Sequence, residues 1–258
     1  MGITVFFVER NDQVYGMYLI ILRICSMEAS AKKGEFIMWN YHNNINGAFN
    51  MYSYFVGANP PTSTNPTPIY PKINNTVFLS PFTYIVGDVT IRNNTFVAPF
   101  VSIRADEGTP FYIGSNCNLQ DGVIFHGLKN KQMEVNQKKY SIYIGDEVSC
   151  AHGALIHGPC QIDQKVFIGF KSIVYNARVG EGSFIASGAI VTGGVTLKPG
   201  SFVPPGAHVD SQKKADSLSQ VPKNEVEFAR EVQRVNQEFP SSYSIVFGKD
   251  RCTCGLST

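Results

Sequence analysis

Charge is scarce in this 258-residue chain: Asp, Glu, Lys and Arg make up only 16% of it, and the net charge is +2. So thin and balanced a charge gives no footprint for nucleic acid or for an anionic membrane. No two of the six cysteines (Cys25, Cys117, Cys150, Cys160, Cys252 and Cys254) stand in C-x2-C spacing, which argues against a zinc ribbon. The C-T-C near the end could bridge or bind a metal, but it reads first as a reduced tail, because cytosolic thiols stay reduced. Long hydrophobic runs are missing too. VYGMYLIILRI (14–24) falls short of the roughly 20 apolar residues a membrane span needs, and Arg23 interrupts it. Glu9 and Asp12 precede it where a signal peptide carries positive charge, so cytoplasm is the default compartment. Residues 1–50 therefore read as a dispensable or mis-started leader, with Met27, Met38 and Met51 as alternative starts.

Apolar residues are plentiful, at 43%, and there are 23 glycines, a β-rich globular balance. Their spacing is neither 2 nor 3.6. Aliphatic or aromatic residues recur every six positions at Ile85, Ile91, Val97 and Ile103, then at Ile113, Leu119 and Phe125. The ladder resumes at Ile144, Cys150, Ile156, Ile162, Ile168 and Val174. After one step of five it runs Val179, Ile185, Val191, Leu197, Val203, Val209. A β-sandwich would show alternation with turn signals every 8–12 residues instead. A six-residue period marks a parallel β-helix in which each hexad makes one flat face and three close a triangular coil. About six coils at roughly 4.8 Å spacing give a prism about 30 Å tall. The expected class is an all-β, left-handed parallel β-helix over 85–210. A proline-rich strap and lead-in (51–84) precedes it, a helical segment (211–247) follows, and 248–258 form a tail. Within that segment 222–239 read as a helix, with Asn224 as N-cap and Phe228, Val232, Val235 and Phe239 as the stripe that packs on the prism.

Five histidines are few, yet two stand five apart in CAHGALIHGP (150–159). On a helix they would lie about 140° apart, and on a plain strand they would point to opposite faces. Winding resolves this. With insertions near 106–110 and within 129–141, Phe125 and Ile156 fall three hexads apart, on one face of successive coils. His126 and His157, each one position later, then stack one coil spacing apart and can share a metal. Arg104 falls below His126, and Asp121 below His152. His152, on the preceding face, reaches such a metal only if three prisms pack around a threefold axis. His42 and His208 read as ordinary polar residues.

At these residues the sequence resembles the γ-class carbonic anhydrases. SIRADEG (102–108), NLQDGVIFHGL (118–128) and AHGALIHGP (151–159) carry the resemblance in order and spacing. FIGFKSIVYNARVGEG (167–182) and VEFAREV (226–232) are similar to the γ-type N-terminal domain of carboxysome assembly proteins. The resemblance implies a homotrimer with interfacial metal sites for Zn2+, or for Fe2+ or Co2+. His126 and His157 would come from one subunit and His152 from its neighbour. The implied reaction is reversible hydration of CO2 to bicarbonate by a metal-bound hydroxide. Gln120 would hydrogen-bond that hydroxide, and Arg104 and Asp121 would form an ion pair linking subunits. Asn118, Asp106 and Asn236 match residues near the pocket, and Glu107 matches the family's proton acceptor. The position that carries a proton-shuttle glutamate in the archaeal enzyme is Lys129 here, and Glu134 is the one carboxylate in the following insertion that could substitute. Two other readings stand beside this one. One is a catalytically weak structural trimer of the carboxysome type, binding bicarbonate or partner proteins. That type continues into repeats resembling the Rubisco small subunit, and none is present before Thr258. The other is a hexapeptide acyltransferase, which would use one histidine as general base and would not need the trio.

Overall fold

Side chains alternate sides along a strand, so a single apolar residue between small or polar neighbours points alone into a core. A chain that offers one such residue every six positions must turn after each. The computed structural model shows this winding; it describes residues 9–10, 13–14 and 54–247. The readings of the leader and of the tail cysteines lie outside the described residues, apart from a two-strand antiparallel ribbon, Glu9–Arg10 with Gln13–Val14.

The coil is a left-handed parallel β-helix with three faces. The first face stacks eight strands in register: Phe55–Gly57, Tyr84–Gly87, Ser102–Ala105, Ile124–Gly127, the first half of Leu155–Ile162, the first half of Ile173–Val179, Ile190–Val191 and His208–Val209. The second runs from Lys72–Ile73 up to Thr196–Leu197. The third runs from Phe78–Leu79 up to Phe202–Val203. The six-residue ladder is the core: Ile85, Ile103, Phe125, Ile156, Ile144 and Ile168 are all fully buried. Each contributes about 1.5–3 kcal/mol by leaving water.

The coil is taller than the six turns counted from Ile85. The lead-in supplies a rung of its own, with Val56, Ile73 and Leu79 as inward residues. Between the first two, the proline-rich segment is held by Asn59, which is 1% exposed. Its Oδ1 accepts from the Ile69 amide at 2.8 Å and its Nδ2 donates to the Thr67 carbonyl at 3.2 Å.

A short helix α1 (Gln212–Asp216), absent from the sequence reading, closes the top of the coil. Gln212 pairs with the Thr196 amide and carbonyl, and Ala215 enters the core. Helix α2 (Lys223–Phe247) lies along the third face. Asn224 is not its N-cap: the first helical amides, Glu225 and Val226, bond back to the Pro222 carbonyl, which puts Asn224 inside the first turn. The helix also runs past Pro240, where a stop was expected. Packing overrides the proline, because Tyr243 beyond it contacts the rings of Phe78 and Phe96 at 5.2 and 5.0 Å. Of the expected stripe, Phe239 packs on Phe96, Phe228 on Phe167, and Val232 on the cluster around Phe184, while Val235 stays exposed. No helix among the described residues is long and apolar enough to cross a membrane.

Candidate metal centre

The outward residues of the first face form the column read from the winding. Arg104, His126 and His157 stand opposite one another in parallel register. Nδ1 of His126 lies 3.3 Å from Nε2 of His157. The other ring nitrogen of each histidine faces an acceptor. Nδ1 of His157 donates to the Gly158 carbonyl at 3.0 Å, which leaves Nε2 as the lone pair. Nε2 of His126 lies 3.2 Å from Asp106 Oδ1, within ion-pairing reach though out of line for a hydrogen bond, and 3.9 Å from Glu107 Oε2. At this distance the two nitrogens either share a proton, Nδ1 of His126 donating to Nε2 of His157, or face one cation. Tetrahedral ligation at about 2.0–2.1 Å places two nitrogens about 3.3 Å apart, so the pair fits a divalent metal. Acceptors behind the rings are the usual means of fixing tautomer and orientation in metal-ligating histidines.

His152 sits at the corner that precedes this face. Its Nδ1 lies 3.0 Å from Asp121 Oδ2, and both side chains are half exposed. It therefore has the same kind of acceptor behind it. Among the described residues of one chain, no three His, Cys, Asp or Glu side chains converge on a point that could hold a metal. His152 does not join His126 and His157 within one chain.

The remaining site residues divide into two groups. Gln120 and Asn118 follow one another on the outer side of the third face. Gln120 Oε1 and both polar atoms of Asn118 are buried with no hydrogen-bond partner. Asn236, 9% exposed, reaches that side on α2 and donates to the Val232 carbonyl at 2.7 Å. Arg104 does not pair with Asp121 inside the chain; its Nε lies 3.3 Å from Asp106 Oδ2. Glu107 Oε1 accepts the Lys129 amide at 3.2 Å, so the residue at the shuttle position holds Glu107 through its backbone. Glu134 lies on the hairpin Met133–Val135/Lys138–Tyr140, opposite Lys139. Its carbonyl is approached by Arg178 at 3.5 Å on the second face, and no contact joins its carboxylate to the histidines.

Two site neighbours escaped the sequence reading. Tyr175 lies edge-on to His157 at 5.3 Å, and Phe170 stacks on His152 at 5.7 Å with rings 4° from parallel. Both were legible: Tyr175 follows its ladder residue by one position, as His157 does, and Phe170 follows by two, as His152 does. A third feature was not legible. Gln233 of α2 accepts from Ser149 Oγ at 2.9 Å and donates to the Asn116 carbonyl at 2.5 Å, fastening the helix beside Asn118.

Coil, helix and histidine column together define a left-handed hexapeptide β-helix with a candidate metal centre on its first face. Comparison with solved structures agrees on the fold. A Bacillus cereus protein described as an acetyltransferase superposes with TM-score 0.58 at 23% identity, covering 69% of this chain and 93% of that one. A hexapeptide transferase family protein from Anaplasma phagocytophilum gives 0.55 at 22%, covering 68% and 93%. At these identities the likeness extends to the fold alone. No protein-family model matches the chain. Among curated proteins, a carboxysome assembly protein of Nostoc sp. is 43% identical over 187 residues, 72% of this chain and 34% of that protein. A carbonic anhydrase of Methanosarcina thermophila is 39% identical over 135 residues, 48% of this chain and 55% of that one. A carboxysome assembly protein of Synechocystis sp. is 37% identical over 187 residues, 72% and 27%. Homologues at 37–43% identity thus carry the names that the motifs suggested, and the chain is related through its coil to carbonic anhydrase and to carboxysome assembly proteins. The matches span from about a quarter to about half the length of these relatives.

Proposed function

We propose that the chain assembles as a cytoplasmic homotrimer that hydrates CO2 reversibly to bicarbonate. Each interface would hold one divalent metal, Zn2+ or alternatively Fe2+ or Co2+, between His126 and His157 of one subunit and His152 of the partner subunit. The observation that carries this is the pair of ring nitrogens 3.3 Å apart, with Gly158 O behind one ring and Asp106 behind the other. A zinc ion held by these three neutral imidazoles would supply a nucleophile at neutral pH by lowering the pKa of bound water to about 7, carbonic anhydrase being the reference case for that figure.

The chain's own residues supply orientation and proton traffic. Gln120 Oε1, buried without a donor, is an acceptor that can orient the attacking group. Asn118, equally unpartnered, can bond Gln120 or substrate, with Asn236 on the same side. Asp106 lies 3.2 Å behind the His126 ring, and Glu107, 41% exposed and 3.9 Å from that ring, can pass a proton to solvent. Arg104 and Asp121 lie half exposed without pairing each other in one chain, which suits a bridge between subunits. Glu134 is the lesser shuttle candidate, since its hairpin is held on the second face.

The test is stopped-flow CO2 hydration by the oxygen-free protein loaded with Zn2+, Fe2+ or Co2+, with His157→Ala as control. Activity that is lost in the variant supports the enzyme. No activity in any preparation, despite one bound metal per subunit, would replace it with the second reading: a structural trimer that binds bicarbonate or assembly partners. What favours that reading is the extent of likeness, 187 residues to the carboxysome assembly proteins against 135 to the carbonic anhydrase.

A further inference from the structure

The corner before the first face stacks the residues that stand two places after each ladder position of the third face. Going up from the third coil it carries Asp121, His152 and Phe170. Backbone bonds tie these rungs together, from the Gly153 amide to the Asp121 carbonyl at 2.9 Å and from the Lys171 amide to the His152 carbonyl at 3.0 Å. Register therefore puts Phe170 one rung above His152. It does not choose the direction of the rings, because Phe170 is 42% exposed and the His152 side chain 55%. The two rings nonetheless lie face to face, 5.7 Å between centroids and 4° from parallel. Tyr175, which stands one rung above His157 in the same way, meets that ring edge-on at 82°. Stacked rungs alone do not produce parallel rings.

We infer that Phe170 is a positioning residue for His152, fixing the plane in which its imidazole meets a metal. This rests on the reading of His152 as a ligand. Of the candidate ligands, His126 and His157 brace each other at 3.3 Å, and the His126 side chain is 20% exposed. His152 stands apart from them, and Asp121 behind it is half exposed as well. A pair so wetted holds a side chain weakly. With Nδ1 donating to Asp121, Nε2 is the acceptor nitrogen of the ring. That bond selects the nitrogen but leaves the ring free to swing about it. A flat ring against the imidazole face stops the swing before any metal arrives, so less freedom is lost on binding. Electrostatics acts in the same direction. An imidazole bound to a cation is poorer in electrons than a free one, and the π face of phenylalanine attracts positive charge. The stack therefore favours the ligated ring over the free ring. Phe170 also lines the apolar hollow between this corner and α2, with Phe167, Phe184 and Phe228, so a test variant must keep an apolar side chain there.

Zinc affinity of the full chain, measured by competition with a chromophoric chelator, tests this in the parent, Phe170→Leu and Phe170→Tyr. Leucine keeps the apolar bulk without the flat face, and tyrosine keeps the face. The leucine variant should bind zinc about 10-fold more weakly at an unchanged denaturation midpoint of the metal-free protein, while tyrosine should match the parent. Leucine binding as tightly as the parent, or tyrosine binding as weakly as leucine, would overturn the inference and leave the metal reading intact. Zinc binding that His152→Ala does not weaken would sink the reading of His152 as a ligand, and the inference with it. A second measurement needs neither metal nor a folded variant at position 170. In the metal-free parent with isotope-labelled histidine, the His152 ring C–H resonances, identified by their loss in His152→Ala, should be shifted upfield by the Phe170 ring. Unshifted resonances would also overturn the inference.

Discussion

Asp106, Asp121 and the Gly158 carbonyl each stand behind one histidine, and this second layer decides what the rings can do. Columns of residues could be read from the six-residue step, because side-chain direction follows from backbone winding. Ring rotation could not, since it depends on acceptors brought in by other turns, and Glu134's place on the second face depends on Arg178, 44 positions away. Lys129 bears on the proton path. A lysine side chain offers donors and no acceptor, so it is not the relay beside Glu107 that a carboxylate would be. Lys129→Glu should raise buffer-independent kcat in the metal-loaded protein, and an unchanged kcat in an active enzyme would remove the shuttle explanation. Core cysteines make the opposite case, of groups without chemistry. Burial pushes the Cys117 thiol up to about 12 and raises Cys150 and Cys160 as well. Only the thiolate is nucleophilic, so at pH 8 iodoacetamide should leave these three unmodified until the coil is denatured. Modification of the native coil at any of them, read by peptide mass spectrometry, would contradict that burial.

Turns and the helix show where local rules yield to packing. Gly108, Gly127 and Gly158 surround the buried Ser141; a Cβ on Gly127 would lie 2.3 Å from Ser141 Oγ. Gly127→Ala should therefore cost about 1–3 kcal/mol, seen as a lowered denaturation midpoint, and Ser141→Gly should restore part of it. Equal midpoints for Gly127→Ala and the parent would show that the corner can widen. The apolar stripe of α2 was legible because it has helical spacing; its end was not, because Pro240 lies inside while Tyr243 and Phe239 pack beyond and before it. Gln233 fastens the helix at the rungs of Asn118 and Ser149, where phenylalanines give way to polar residues. Loss of two hydrogen bonds in Gln233→Ala should cost about 1–3 kcal/mol. Ser149→Ala in the same background should add less than it costs alone, since both remove one bond.

At the scale of the whole molecule, the winding brings His126 beside His157 and leaves His152 apart, and the proposed trimer would bring the three together. The lead-in rung escaped the six-residue count because the proline-rich segment interrupts the period between Val56 and Ile73, although both still enter the core. In the proposed trimer His152 would come from the partner subunit, since it does not join His126 and His157 among the described residues of one chain. Mixing His126→Ala with His152→Ala chains tests that directly: the mixture is co-refolded, and zinc content and CO2 hydration are measured beside each variant alone. Shared sites should leave either variant alone without zinc or activity. In mixed trimers, interfaces that join His152 of one variant to His126 and His157 of the other should regain both. Mixed trimers that recover neither zinc nor hydration would contradict a metal centre built between subunits.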